Sequence, residues 1–140
     1  MTKKQENPRL RVIPVAGLEE IGRNMFIIEH GNDIIIIDMG LQFPEEDMHG
    51  IDYIIPNISY LKGKEKNIRG VIITHGHLDH IGAIPHLMPK LGNPTLFATK
   101  LTRAIIERRQ DDYKNSGAPK LNCYTIDPDD KIKLGVFKIE

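Results

Sequence analysis

Four consecutive isoleucines, Ile34 to Ile37, run directly into Asp38. A strand that is apolar at every position must be covered on both faces, which calls for helices or a second sheet around it. Val71-Ile72-Ile73-Thr74 reads as another strand of the same buried kind. Ahead of the isoleucines, Leu10 to Val15 and Asn24 to Glu29 read as strands, and His30-Gly31-Asn32-Asp33 supplies the residues of a tight hairpin turn. Met39 to Lys66 carries Pro44, Pro56 and many charges without a sustained period, and reads as a long loop with a short helix at Ile58 to Leu61. Leu78 to Leu91 is a helix candidate with Ile81, Ile84, Leu87, Met88 and Leu91 at helical spacing, and Pro85 kinks it or divides it. Thr95 to Ala98 is a short strand. Thr99 or Thr102 then caps a helix to about Tyr113, with Leu101, Ile105 and Ile106 on its core side. Leu121 to Ile126 and Lys131 to Ile139 are predicted as two closing strands around the turn Asp127 to Asp130. A hairpin group followed by strand–helix alternation predicts an α/β layered sandwich built on a mixed sheet.

The chain has 140 residues, enough for one ordinary domain, predicted over residues 10–140 behind a flexible tail at 1–9. Nineteen Lys and Arg balance nineteen Asp and Glu, so no overall basic field draws the chain to nucleic acid or to a membrane, and an anionic substrate needs a local site. Cys123 is the only cysteine. That excludes an internal disulfide and a Cys-rich zinc module, and it fits a reducing, cytoplasmic setting. The first eight residues lack the apolar region of a signal peptide, and no apolar run is long enough to cross a bilayer. The strand pattern Lys131 to Ile139 ends at Glu140 without turn or cap, as expected for a piece of a longer protein.

The strongest chemical signal is Thr74-His75-Gly76-His77-Leu78-Asp79-His80, placed directly after a buried strand. The pattern H-x-H-x-D-H arises by chance in roughly one such chain in a thousand. In an extended segment His75 and His77 point to one side and can face one metal, while Gly76 lets the backbone bend closely around it. Asp79 and His80 stand where the helix begins and can turn toward a second metal. Imidazole and carboxylate together suit zinc or a similar borderline ion. The plainer alternative makes Asp79 a helix N-cap and the histidines polar loop residues, but four candidate ligands within six positions argue for metal. Asp38 either caps a turn or accepts the second ring N–H of a ligand imidazole and so orients it. His49 and His86 read as surface or rim residues, and the scattered Lys3, Lys4, Arg9, Arg11, Arg108 and Arg109 as solvated faces.

At this point the residues resemble a known family. The cluster His75, His77, Asp79 and His80 is similar to the signature of the metallo-β-lactamase fold, and Asp38 to that group's earlier aspartate motif. Gly17-Leu18-Glu19-Glu20-Ile21-Gly22-Arg23-Asn24-Met25 and the segment Phe43 to Pro56, FPEEDMHGIDYIIP, narrow the resemblance to the β-CASP group, specifically bacterial ribonuclease J. THGHLDHIGAIPHL continues the likeness, which covers nearly the whole chain from about Leu10. Ala16 and Glu19 depart from expected glycines, and His86 stands where an aromatic is common.

The resemblance implies an α+β, four-layer αββα sandwich of which only the amino-terminal half is present here. It implies a parent enzyme that hydrolyses RNA as a 5′ exonuclease and as an endonuclease, in mRNA decay and rRNA maturation. His75 and His77 would serve one zinc and Asp79 and His80 the other, with Asp79 and His80 catalytic and Mn²⁺ or Mg²⁺ as substitutes. It also implies a structural Ca²⁺ on the Gly50 carbonyl and the Asp52 carboxylate, RNA as partner, and a homo-oligomeric parent, dimer or tetramer. The family's further ligands, β-CASP domain and dimerising region are not among these residues, so the chain alone is expected to be inactive. A small-thioester hydrolase and a metal-free binding module remain as alternatives on the same fold.

Overall fold

The computed structural model describes residues 7–140, so the expectation of a flexible tail lies mostly outside the described residues. β1 (Leu10–Ala16), β2 (Met25–His30) and β3 (Asp33–Ile37) form an antiparallel meander, with His30 opposite Asp33 across the expected turn. β4 (Ile68–Ile72), β5 (Leu96–Ala98) and β6 (Cys123–Thr125) extend it in parallel. The result is one mixed sheet in the order β1-β2-β3-β4-β5-β6. Two short helices, α1 (Leu78–Ile81) and α2 (Ile84–Leu87), and the 3-10 turn Met88–Leu91 follow β4, and α3 (Lys100–Asp112) follows β5. The described residues close on β7 (Ile132–Leu134) and β8 (Phe137–Ile139), which among those residues pair only with each other.

The isoleucine run explains the layering. Side chains alternate across a strand, and Ile34 and Ile36 join Val71, Ile73, Leu96, Ile84 and Leu87 in the core under the helices. Ile35 faces the other way, where it packs with Phe97, Leu134, Ile72, Ile132 and Phe137 beneath the β7–β8 hairpin. The strand is thus covered on both faces, by helices on one and a small sheet on the other. This is an α/β sandwich on a mixed sheet, as the residue pattern predicts.

Three local expectations are corrected. The stretch from Lys131 is two strands, because Gly135 at φ +59° turns the chain between Leu134 and Phe137. Asp33 holds that turn, accepting the Val136 N–H at 2.8 Å and pairing with Arg69. The helix α3 presents Thr102, Ile106 and Gln110 to the core, whereas Leu101 is 73% and Ile105 40% exposed. The four-residue spacing of the buried set places those two on the outer face. The strand predicted at Val71 to Thr74 instead starts and ends earlier, at Ile68 and Ile72, since the Thr74 N–H turns to the Asp38 carboxylate rather than to a neighbouring strand. Pro85 stands in the first turn of α2 and divides the predicted helix, as its missing N–H requires.

Candidate metal centre

The motif occupies the crossover from the end of β4 into α1, at the carboxyl edge of the sheet, where open α/β sheets place their ligands. Two loops are tied onto it through the backbone. Asn24 N–H donates to the Asp79 carbonyl at 3.0 Å, Met39 N–H to the His80 carbonyl at 2.8 Å, and Gly40 N–H to the Asn24 carbonyl at 2.9 Å. Gly40 makes the close approach possible: a Cβ there would stand 1.6 Å from the Asp79 carbonyl oxygen and 2.5 Å from the Asn24 nitrogen.

Asp38 sits at the hub. It is 4% exposed, follows β3 in a left-handed conformation (φ +63°), and accepts the Thr74 N–H at 2.8 Å and the Thr74 hydroxyl at 2.8 Å. Its Oδ2 also lies 2.8 Å from His80 Nδ1. That contact occupies Nδ1 and leaves Nε2 as the ring nitrogen turned toward the site. Nε2 in turn lies 3.4 Å from Asp79 Oδ2. Asp79 does not cap α1: His77 holds the N-cap position, and the cap makes no side-chain hydrogen bond.

The other two histidines form a second pair. His75 Nδ1 lies 3.0 Å from the Thr74 hydroxyl, which directs its Nε2 to His77 Nδ1 at 3.2 Å. The His75 and His80 rings are 4.0 Å apart, so the two pairs are adjacent. The structure therefore brings His75, His77, Asp79, His80 and Asp38 together. Thr74 and Asn24 belong to the same network without having been singled out from the sequence. Asn24 lay unremarked inside the Gly17–Met25 stretch, and only its side-chain partners mark it.

His86 lies apart from the cluster. Tyr53 stacks on it at 4.4 Å and Tyr113 meets it edge-on at 5.0 Å. Burial, helped by the positive charges of Arg109 and Lys90, holds its pKa below the ordinary histidine value. His49, Gly50 and Asp52 are on the exposed loop after β3, and Gly50 adopts φ +79°.

The donor chemistry fits a divalent metal in pairs. Ligand atoms about 2.0 to 2.1 Å from a tetrahedral zinc lie roughly 3.4 Å from one another. The separations of 3.2 Å in the His75–His77 pair and 3.4 Å in the Asp79–His80 pair match that bite. Among the described residues no group of three or more His, Cys, Asp or Glu side chains is arranged to hold an ion, so each pair stops at two donors.

The Metallo-beta-lactamase superfamily profile matches residues 18–138. The chain belongs to that superfamily. Membership implies binding of a divalent metal. Within it, the domain is 33% identical over 136 residues to "Ribonuclease J" of Synechocystis sp., covering 96% of this chain and 21% of that protein. It is 40% identical over 111 residues to "Ribonuclease J2" of Bacillus subtilis, covering 79% of this chain and 20% of that protein. The chain thus spans about a fifth of the length of the curated relatives it matches. Among solved structures, "Rm3 metallo-beta-lactamase" superposes on 96% of this chain and 50% of its own, with TM-score 0.60 and 18% identity. Among the described residues no helix is long and apolar enough to cross a membrane.

Proposed function

We propose that residues 10–140 are the amino-terminal part of the metallo-β-lactamase domain of a zinc-dependent ribonuclease. The full protein would cleave RNA from the 5′ end and internally, in mRNA decay and rRNA maturation. The observation that carries the reading is the arrangement of His75 with His77 and of Asp79 with His80. These are two adjacent donor pairs at the bite of a metal ion, on a chain whose relatives are named Ribonuclease J. His75 and His77 would hold one zinc, and Asp79 and His80 the other. Asp38, through His80 Nδ1, keeps Nε2 of His80 aimed at the second position.

Bound divalent metal would supply Lewis acidity toward a phosphodiester and make water a better nucleophile at neutral pH. The chain's own residues orient those donors. Thr74 turns His75 and Asp38 turns His80, so neither ring needs to reorganise. With zero formal net charge, the surface offers little general affinity for phosphate, and RNA would be held at the site and by parts of the protein outside this chain. The reading extends to a homo-oligomeric, cytoplasmic parent and to calcium on the Gly50 carbonyl and Asp52 carboxylate, whose oxygens stand on an exposed turn.

The test pairs the chain with the full-length protein, titrated with zinc and assayed on a 5′-monophosphorylated RNA. Two donors per position are fewer than the three that a catalytic zinc usually has. The chain alone is therefore expected to bind zinc weakly without turnover, and the full-length protein to turn over. His77→Ala should abolish cleavage in the full-length protein. Near-normal turnover in that variant would overturn the reading.

A further inference from the structure

The two donor pairs raise the same electrostatic question and answer it differently. Two acceptor atoms facing each other at 3.2 to 3.4 Å repel unless a proton, an N–H or a cation stands between them. At the Asp79–His80 pair the protein provides an N–H of its own. Asn24 Nδ2 lies 3.1 Å from Asp79 Oδ2, 3.3 Å from His80 Nε2 and 3.1 Å from the Asp79 carbonyl oxygen. The carbonyl and the carboxylate oxygen of Asp79 are both acceptors, so the amide nitrogen, and not Oδ1, faces them. The amide is held in that orientation from behind. A Cβ on Gly17 (φ +87°) would come within 2.5 Å of Asn24 Oδ1, so the oxygen packs against a residue that has no side chain to push it away.

We infer that the Asn24 carboxamide is a placeholder for the cation of the Asp79–His80 pair: it donates to both ligand atoms in the metal-free protein and must withdraw before a metal can enter. The inference rests on the reading of this pair as a metal position and adds a residue that sets its occupancy. Asn24 is then a positioning residue with opposite effects on two states. In the metal-free state its hydrogen bonds keep two mutually repelling acceptors in place. Toward the metal those same bonds compete, because a cation and an N–H cannot share the position. The backbone bonds Asn24 N–H to Asp79 C=O and Gly40 N–H to Asn24 C=O persist whichever way the side chain points, so the frame survives a change of side chain. At the His75–His77 pair one ring nitrogen donates to the other, so that pair is held by a proton of its own.

The experiment compares the full-length wild-type protein with its Asn24→Ala, Asn24→Asp and His80→Ala variants. It measures the melting temperature in chelator and the affinity for zinc alone by competition with a chromophoric chelator. Asn24→Ala should melt lower than wild type without metal, yet bind the second zinc about tenfold more tightly, the factor expected when hydrogen bonds to a charged group are removed from the competing state. Asn24→Asp has nearly the same shape, replaces the donor by an anionic oxygen, and should tighten binding at least as much. A merely structural role for Asn24 predicts the reverse, weaker zinc binding in step with lost stability. If His80→Ala weakens zinc binding but neither Asn24 variant tightens it, the placeholder is wrong and the metal pair stands. If His80→Ala binds zinc like wild type, or no variant binds it measurably, the metal pair falls and the placeholder with it.

Discussion

The Asp79–His80 pair and the His75–His77 pair lie side by side, and they differ in what holds them. Asp79 and His80 open α1, their carbonyls accept N–H groups from Asn24 and Met39, and His80 is fixed on the buried Asp38. His75 is half-buried and turned only by the Thr74 hydroxyl, and His77 is exposed at the helix N-cap. One pair is thus part of the framework and the other is set on its rim. The difference teaches that four ligands contiguous in sequence need not be equivalent in stability. Removing a rim ligand affects chemistry alone, whereas disturbing the framework pair also disturbs folding.

The strongest way to break that contrast is Gly40→Ala. The new Cβ would overlap backbone atoms of Asp79 and Asn24, and backbone cannot move aside as a side chain can. A destabilisation of about 3 kcal/mol or more is expected, measured by urea unfolding of the metal-free chain. An unchanged midpoint would show that the strands and α1 are not clamped together at this point.

A graded version compares Asp38→Ala with His77→Ala, both without metal. Asp38→Ala strips partners from the Thr74 N–H and from His80 and puts alanine at φ +63°, so a loss of about 2 kcal/mol is expected. His77→Ala removes an exposed side chain and should change stability by less than about 0.5 kcal/mol. Equal losses would erase the distinction between framework and rim.

The smallest effect concerns a third histidine environment. His86, between Tyr53 and Tyr113 and facing Arg109 and Lys90, is held below its ordinary pKa chiefly by burial. The unfolded chain takes up this proton near pH 6.5, the folded chain only at lower pH, so in between the unfolded state binds more protons. The stability from neutral His86 is complete above about pH 6.5, falls as pH drops below it, and levels off beneath the folded value. His86→Phe should flatten the dependence of melting temperature on pH between 5 and 7. A slope that is unchanged in the variant would assign it to other groups.

Much of the fold is legible along the chain because its causes are local. Alternation of Ile34 and Ile36 against Ile35 is a property of any extended strand, and the only step left to packing was which cover lies on which face. The turn at Gly31, the division of the helix at Pro85 and the clustering of four ligands within six residues depend on neighbours in sequence. The α3 face is not legible in the sequence because Leu101 and Ile105 form an i, i+4 apolar stripe of their own, one position ahead of Thr102 and Ile106, and apolar identity alone does not say which stripe meets the sheet. The β7–β8 hairpin was missed because its turn is secured by Asp33 from a strand a hundred residues earlier.

The same division runs through the site. The sequence by itself determined which donor atoms are present and that His75, His77, Asp79 and His80 arise at one strand–helix junction, since spacing of this kind survives any arrangement of the rest. Only the tertiary structure decided how those donors are held. Asp38 reaches His80 across 42 positions and Asn24 reaches Asp79 across 55. Hydrogen bonds of that span exist only once the sheet has brought β2, β3 and the end of β4 together. The orientation of the His80 ring, the split into a braced pair and a rim pair, and the amide nitrogen set against two ligand atoms all follow from that assembly, because each depends on distances that no local pattern encodes.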